Sequence, residues 1–181
     1  MALLSPSVLR ENIGYLPQEV RLFSGTLRDN LLWGLPDPGD EAVLAAARQT
    51  GLIELINGQP RGLALPIHEG SRGVSGGQRQ LIAITRLLLA KPRVWLLDEP
   101  TGSMDAVSEA RVTSLLKAVA DVGATLVVAT HKTGLLPLFD RLIVVNAGRV
   151  VLDGPKAMVM DKLTGRGTMA STEIPAGGTA S

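Results

Sequence analysis

The most informative stretch of this sequence is Val74-Ser75-Gly76-Gly77-Gln78-Arg79-Gln80. Its serine is a favoured helix N-cap, and its two glycines leave room for a ligand to reach the backbone. A helix that begins in this way directs unpaired N–H groups and a partial positive charge outward, and phosphate fits such a position. Taken alone, the stretch is equally typical of an ordinary capped helix with a glycine turn. Its interpretation therefore depends on the residues that follow.

Two apolar runs with polar ends follow this stretch. A helical pattern of apolar residues first extends over residues 76–90 and ends at a Lys-Pro pair. The first run, residues 94–97, leads into Asp98-Glu99-Pro100, and the second, residues 125–129, leads into Thr130-His131. Continuous apolar runs are typical of strands that are buried on both faces of a parallel sheet.

The order of these elements predicts an α/β fold with a parallel sheet. Helical patterns separate the runs at 94–97 and 125–129 from each other and from a third strand at 142–145, which turns into a hairpin. The helix between the first two runs is expected to bury one apolar side. That side consists of Val107, Ala110, Val112, Leu115, Leu116 and Val119.

The rest of the chain predicts a strand, a helical insertion and a tail. A short helix and a strand at 13–16 come first. Residues 27–90 read as an inserted helical subdomain, in which Asp40 is expected to cap an Ala-rich helix. Residues 91–163 form the sheet core. Residues 164–181 are small, polar and glycine-rich, so we expect them to be disordered.

Composition excludes several classes of protein. The chain of 181 residues can bury one core, and its formal charge of +1 argues against a nucleic-acid-binding protein. It has no Cys, which excludes a disulfide framework and a thiolate zinc site. No apolar run reaches the ~18 residues that cross a bilayer, and no export leader opens the chain. We therefore expect a cytosolic domain without a membrane span of its own.

Two neighbouring carboxylates follow the first apolar run. Side chains at the carboxyl end of a strand in an α/β sheet face the crevice where ligands bind. Asp98 is a candidate Mg²⁺ ligand, directly or through water, because Mg²⁺ takes hard oxygen ligands. Glu99 is a candidate for polarising an attacking water. The alternative for both residues is a solvated Asp-Glu-Pro turn.

Three more polar residues occupy positions where ligands bind in such sheets. His131 ends the second apolar run, where its imidazole can donate to phosphate or orient a water, or can be purely structural. Gln18 follows a strand and a proline. It is a candidate contact for a metal or a water, and the alternative is an ordinary loop residue. Asp105 is hard to separate from its structural alternative, because Asp is also a good N-cap.

These pieces together occur in the order found in one family. The chain resembles the nucleotide-binding domain of ATP-binding-cassette (ABC) transporters from about residue 7 to residue 160. The motifs that carry the resemblance are Leu16-Pro17-Gln18, Val74-Ser75-Gly76-Gly77-Gln78-Arg79-Gln80, Val94-Trp95-Leu96-Leu97-Asp98-Glu99-Pro100-Thr101, Ser103-Met104-Asp105 and Thr130-His131. The resemblance implies a P-loop NTPase-like parallel sheet core. It identifies residues 1–163 as a partial nucleotide-binding domain, with its catalytic core at about 91–163.

Two segments are similar to the exporter branch of this family. Leu22-Phe23-Ser24-Gly25-Thr26-Leu27-Arg28-Asp29-Asn30 resembles the exporter segment that faces the membrane domain. Ile67-His68-Glu69-Gly70-Ser71-Arg72-Gly73 is most similar to type I secretion exporters, which carry proteins or peptides. The resemblance implies a place at the cytoplasmic face of the inner membrane, through a transmembrane domain.

The resemblance also implies a role for each candidate residue. Gln18 is the Q-loop residue that senses Mg²⁺ and the γ-phosphate, Asp98 is the Walker B aspartate on Mg²⁺, and Glu99 is the general base. Asp105 belongs to the D-loop that crosses a dimer interface, and His131 is the switch histidine. The signature residues, which bind the γ-phosphate of an ATP held by the opposite subunit, are Ser75, Gly76, Gly77 and Gln78.

The sequence lacks the phosphate loop of this family, G-x-x-x-x-G-K-[ST] (Walker A). It contains no Gly-Lys pair, and only residues 1–16 precede the Q-loop glutamine and its proline. We therefore expect an N-terminally truncated cassette that binds ATP weakly or not at all by itself. In the family the phosphate-loop strand lies between those at 125–129 and 142–145, so we expect these two to be apart or abnormally paired, and the fragment to be unstable or aggregation-prone.

Three functions remain open at this point. The first is a transport ATPase subunit that uses ATP and Mg²⁺, with a transmembrane domain and a second nucleotide-binding domain in a head-to-tail dimer as its partners. The missing lysine leaves catalysis by this chain alone open. The second is a non-catalytic partner whose signature completes the site of an intact subunit. The third, a soluble DNA-repair or translation ATPase, is disfavoured because such proteins insert coiled coils or basic linkers, which this sequence lacks.

Overall fold

A computed structural model of the protein describes residues 5–68 and 73–164. Two sequence predictions lie outside these ranges. They concern the disorder of residues 164–181, of which only Thr164 is described, and the central part of the secretion-type motif, residues 69–72.

The first compact unit, residues 1–133, is built on a parallel sheet with helices around it. Its elements in chain order are α1 (Pro6–Asn12), β1 (Ile13–Leu16), β2 (Gly25–Thr26), α2 (Leu27–Leu31), α3 (Asp40–Thr50), α4 (Ile53–Asn57), β3 (Pro66–Ile67), α5 (Gly76–Ala90), β4 (Val94–Asp98), α6 (Ala106–Asp121) and β5 (Thr125–Ala129). Strand β4 is central and pairs in parallel with β1 and with β5, whereas β2 and β3 form a small antiparallel pair. The predicted α/β class is confirmed.

Helix α5 has the bounds that its end signals predict. Ser75 is the N-cap, and it forms a capping box with Gln78. Lys91 closes the helix in the left-handed conformation, with φ of 50°, and Pro92 follows it. A left-handed residue before a proline is a strong helix stop. These local signals place the glycine pair in the first turn of the helix.

The prediction that Asp40 caps α3 is wrong. The helix begins at Asp40 itself, with Gly39 as an N-cap that makes no side-chain hydrogen bond. Arg28 of α2 explains the difference, because its Nε donates to Asp40 Oδ1 at 2.7 Å and its Nη2 donates to Asp37 at 2.7 Å. Arg28 thereby joins α2 to the loop that enters α3.

Neither apolar run is buried on both faces, so the prediction of two buried faces is wrong: β4 is buried on one face, and no residue of β5 is fully buried. Trp95 and Leu97 of β4 are 1% and 3% exposed. On the other face, Tyr15 and Val127 are in register with Leu96 and are 61% and 55% exposed. A continuous apolar run shows that both faces of a strand are apolar. Whether each face is buried depends on the elements that pack against it.

The predicted buried side of α6 is correct only in its middle. Val112, Leu115 and Leu116 are buried. Val107 is 73% exposed, and Ala110 is also exposed. The first turn of α6 borders an open cavity, which Val107 lines, so helical periodicity alone extends the buried side too far.

The second compact unit begins at Gly134 and contains an antiparallel hairpin and a helix. Its strands are β6 (Arg141–Asn146) and β7 (Arg149–Pro155), and α7 (Lys156–Leu163) follows. The hairpin turns through Ala147 and Gly148, both with positive φ, as a type I′ turn requires. Strands β5 and β6 belong to different sheets, as expected. Within the described ranges, no helix is both long and apolar enough to cross a bilayer.

We predict that Asp37→Asn lowers the melting temperature near neutral pH and has a smaller effect near about pH 3. The side-chain bond from Arg28, helped by the Gly39 N–H, holds the pKa of Asp37 below its ordinary value. A depressed carboxyl pKa stabilises the fold above the unfolded-state pKa, and this stabilisation is lost as pH falls through the folded-state pKa. Calorimetric melting at both pH values measures the difference.

The control is Glu19→Gln, which removes an exposed ion pair with Arg21 at 3.8 Å. Such pairs contribute little, so this variant is expected to melt like the native protein. Equal destabilisation by Asp37→Asn at both pH values would contradict the assigned role of the Arg28–Asp37 pair.

Candidate functional site

The start of α5 leaves two backbone donors free. The Ser75 N–H donates to Gln78 Oε1 at 2.9 Å, and the Gln78 N–H donates to Ser75 Oγ at 3.2 Å. In the described part of the chain, the N–H groups of Gly76 and Gly77 have no acceptor. Because the partial positive charge of the helix is concentrated at these donors, they are suited to an anion.

The glycine pair has a packing function as well. A Cβ at Gly77 would lie 2.8 Å from the carbonyl oxygen of Ser103, and one at Gly76 would lie 3.2 Å from Ser103 Cβ. The loop that leads to Asp105 therefore packs directly on the first turn of α5. Ligand access alone, the reason inferred from the sequence, does not account for both glycines.

Gln80 connects the same helix to the acidic end of β4, a role that was not predicted from the sequence. Its side chain is 3% exposed; Nε2 donates to the Glu99 carbonyl at 3.0 Å, and Oε1 accepts from the Ser103 N–H at 3.2 Å. The signal was present, since a polar residue four positions before Ile84 lies on the buried side of the helix.

The backbone of Glu99 is held in an uncommon conformation. Its φ is 46°, in the left-handed region that residues with a side chain rarely adopt. Its N–H donates to the Ala129 carbonyl at 2.9 Å, and its carbonyl accepts from Gly102 at 3.0 Å and from Gln80. Strain of this kind persists only where surrounding contacts over-determine the geometry, and it is frequent at active sites.

The Glu99 carboxylate is enclosed by donors from the end of β5. Oε1 lies 2.7 Å from His131 Nδ1 and accepts from the His131 N–H at 3.0 Å, while Oε2 accepts from Thr130 Oγ1 at 3.1 Å. Burial raises the pKa of Glu99, but the bonds from His131 and Thr130 outweigh burial and lower it overall. The ionised carboxylate is an acceptor only, so His131 Nδ1 carries the hydrogen of this contact.

These contacts leave the Glu99 carboxylate little remaining capacity to accept hydrogen bonds. A carboxylate has about four lone-pair sites, and three donors from this chain occupy as many of them. One site therefore remains for an outside donor such as a water. The side chain of Glu99 is 15% exposed, whereas that of His131 is 81% exposed, so access runs past the imidazole.

Asp98 and Gln18 lie at the same edge of the sheet. Asp98 ends β4 and is in register with Ala129, while Gln18 comes two residues after Leu16, the register partner of Leu97. Carboxylate and amide oxygens fit Mg²⁺. Among the described residues, no cluster of three or more His, Cys, Asp or Glu side chains suited to a metal ion occurs.

Asp105 caps α6. Its Oδ1 accepts from the Ser108 N–H at 2.8 Å and its Oδ2 from Ser108 Oγ at 3.1 Å, and these bonds lower its pKa. The structural alternative for this residue is therefore correct. Its role at a dimer interface stays a prediction.

The structure gathers the candidate residues into two groups. A cavity of about 490 Å³ contains the first group, whose members are Ser75, Gly77, Gln78, Ser103 and Asp105. The second group surrounds Glu99 and His131, which lie outside that lining. Gln80 bonds to the loop between the groups, so the helix start and the acidic strand end are adjacent.

We predict that Gln80→Leu lowers the free energy of unfolding by about 1–3 kcal/mol, because it removes both hydrogen bonds of a buried amide and leaves the Ser103 N–H without its acceptor and the Glu99 carbonyl with one donor fewer. Urea denaturation followed by circular dichroism measures this. The matched control is Gln49→Leu at an exposed position of α3, where we expect little change. Equal stability of the two variants would show that the Gln80 bonds contribute nothing.

Known proteins with similar sequences align with most of this chain. A family model described as ABC transporter matches residues 4–102, more than half of the chain. The type I secretion system ATP-binding protein PrsD of Rhizobium meliloti is 34% identical over 86% of this chain and 27% of that protein. A multidrug efflux ATP-binding/permease protein of Mycobacterium bovis is 40% identical over 79% of this chain and 12% of that protein.

A solved structure shows the same fold. The structure of a bacterial Atm1-family ABC exporter with ATP bound superposes with a TM-score of 0.80 at 28% identity, over 86% of this chain and 27% of that chain. This chain thus spans about a quarter or less of the length of these relatives. Its sequence motifs, its sheet and these likenesses agree, and the chain belongs to the ABC transporter family, as an ATP-binding domain of the exporter type.

Proposed function

We propose that this chain binds ATP with Mg²⁺ at an interface with a second cassette and couples its hydrolysis to export across a membrane. The observation that carries the proposal is the Glu99 carboxylate, fixed by His131 and Thr130 beside Asp98. The Gln80 bridge supports it by joining the backbone carbonyl of Glu99 to a helix start that has two free N–H donors.

Each residue has a task in this proposal. Gly76 and Gly77 donate to the γ-phosphate of an ATP held by the opposite subunit, with Ser75 and Gln78 keeping the helix start in place. Asp98 and Gln18 would hold Mg²⁺, which neutralises charge on the phosphate oxygens. Glu99 accepts a proton from the attacking water, and His131 orients Glu99 through Nδ1. Asp105 positions the loop that crosses to the partner.

The phosphate loop is supplied, in this proposal, by a segment outside the printed sequence. The sequence has no Gly-Lys pair with which to form one. The sheet also leaves one apolar face open, where Tyr15 and Val127 are more than half exposed. Parallel sheets are ordinarily covered on both faces, so a further element fits there.

The proposed partners are a transmembrane domain and a second cassette in a head-to-tail dimer, at the cytoplasmic face of the inner membrane. Residues 22–33 support the transmembrane domain as a partner. The ring of Phe23 packs edge-on against the ring of Trp33, with 3.9 Å between the ring centroids, and Trp33 is 58% exposed. A protein or peptide cargo is proposed from the likeness to a type I secretion protein.

A second function is compatible with a sequence that lacks the phosphate-loop lysine. The chain would then serve as a non-catalytic partner, whose signature completes a site on an intact cassette. The helix start supports this function without any use of Glu99, because its free N–H donors belong to Gly76 and to Gly77, which lines the cavity. The soluble DNA-repair or translation alternative has no support in these relatives, which are transport proteins.

Calorimetric titration with MgATP tests the first part of the proposal. Without the lysine and N–H groups of a phosphate loop, we expect weak or undetectable binding by this chain alone. Micromolar affinity would refute that expectation.

Mixing with an intact cassette tests the rest. We expect the chain to restore ATP turnover to an intact exporter cassette whose own signature serine is replaced by arginine. Ser75→Arg in this chain abolishes the restoration under both functions, because it blocks the free donors. Glu99→Gln abolishes it only if this chain also contributes its general base. Turnover that is unchanged by native chain would contradict both functions.

A further inference from the structure

We propose that Lys132 is a positioning residue for Glu99 and His131. Its ammonium group fastens the end of β5 to the loop that follows Glu99 and to the first turn of α6. The proposal rests on the function proposed above for its importance in ATP hydrolysis, and on the contacts of this chain alone for its geometry.

Lys132 makes two close contacts through its side chain. Nζ donates to the Thr101 carbonyl at 2.8 Å and to Glu109 Oε2 at 2.6 Å. The side chains of Lys132 and Glu109 are 24% and 25% exposed. An ion pair that is mostly removed from water and that also bonds a carbonyl is far less screened than a surface pair.

The backbone of Lys132 enters the same network. Its N–H donates to Thr130 Oγ1 at 3.0 Å, and that hydroxyl donates to Glu99 Oε2 at 3.1 Å. The neighbouring His131 N–H donates to the other oxygen of Glu99. The Lys132 backbone therefore orients the Thr130 hydroxyl directly, and it adjoins the His131 donors that reach the same carboxylate.

The loop after Glu99 is thus held from two sides. Gln80 of α5 bonds to the Glu99 carbonyl and the Ser103 N–H. Lys132 bonds to the carbonyl of Thr101, which lies midway between them and is 1% exposed. The pair with Glu109 continues this hold into α6, one turn after Asp105. Lys132 is the direct link in this network between His131 and the helix that Asp105 caps.

The role predicts a spectroscopic signature. When Lys132 holds the strand end in place, the hydrogen of the His131 ring stays on Nδ1, facing Glu99, and the His131 N–H is protected from exchange. Lys132→Met is expected to shift the ring toward a mixture of tautomers and to speed exchange of the His131 N–H about tenfold or more. Lys132→Arg keeps the positive charge and N–H donors for the Thr101 carbonyl and Glu109, so it is expected to restore both readouts.

Long-range ¹H–¹⁵N NMR of the full chain measures the tautomer. The chain has two histidines, and His68→Gln assigns the remaining ring signals to His131. The matched control is Lys117→Met, which removes an exposed pair with Asp121 at 2.8 Å on the same helix, α6. This control is expected to leave the tautomer and the exchange rate of His131 unchanged.

Each outcome of the NMR experiment either supports the proposal or overturns it. A Lys132→Met protein whose His131 tautomer and exchange match those of Lys117→Met overturns the proposal, and so does failure of Lys132→Arg to restore them. If Lys132→Met does not fold, Glu109→Gln replaces it, and an unchanged His131 in that folded variant overturns the proposal.

ATP turnover provides a second test of the role of Lys132. If Glu99→Gln shows that this chain contributes its general base in the mixture with an intact cassette, Lys132→Met is expected to reduce kcat about tenfold at unchanged KM, with recovery in Lys132→Arg. A fall in kcat without recovery, or a rise in KM alone, counts against a positioning role. Absence of turnover with the native chain counts against the proposed function, while the NMR result still decides the role of Lys132.

Discussion

The contact between the first turn of α5 and the loop from Glu99 to Ser103 is the constraint on which the site depends. Two glycines let the Ser103 carbonyl come within a distance that no Cβ at Gly77 would permit. Gln80 then closes the contact with two hydrogen bonds from a buried amide. This close approach brings a helix start and an acidic strand end together, although 19 residues separate Gln80 from Glu99 in sequence.

The same contact keeps Glu99 in a conformation that local sequence does not favour. A left-handed backbone at a residue with a side chain costs on the order of 1 kcal/mol or more. Three backbone bonds, to Ala129, Gly102 and Gln80, offset this cost and prevent relaxation. The side chain is consequently directed toward His131 and Thr130, where it meets donors instead of solvent. Strain at one residue is therefore a consequence of packing over the whole loop.

Local signals in the sequence were sufficient for much of this architecture. The cap at Ser75, the stop at Lys91-Pro92 and the strand at 13–16 each depend on a few neighbouring residues, and the structure has them where they were predicted. Long-range partners were not predictable in the same way. Asp40 bonds to Arg28 instead of capping α3, and β5 exposes Val127, because each outcome depends on what packs against the residue. The candidate site shows the same difference between local and long-range signals. The sequence pattern identified Asp98 and Glu99 as the end of a strand, whereas it did not predict the role of Gln80.

The two groups of candidate residues are mechanically linked because they share one loop. Ser103 bonds to Gln80 and packs on the glycine pair, while Glu99 at the other end of the loop meets His131. The turn bonds from Gly102 to Glu99 and from Met104 to Thr101 leave the loop little freedom to bend between its ends. A shift of the α5 start against Ser103 must therefore move the Glu99 backbone, or break the buried bonds of Gln80. Because a buried unsatisfied donor is costly, movement of the whole loop is the favoured response. We therefore expect a displacement of the glycine-led helix start to reach the Glu99 backbone through this loop.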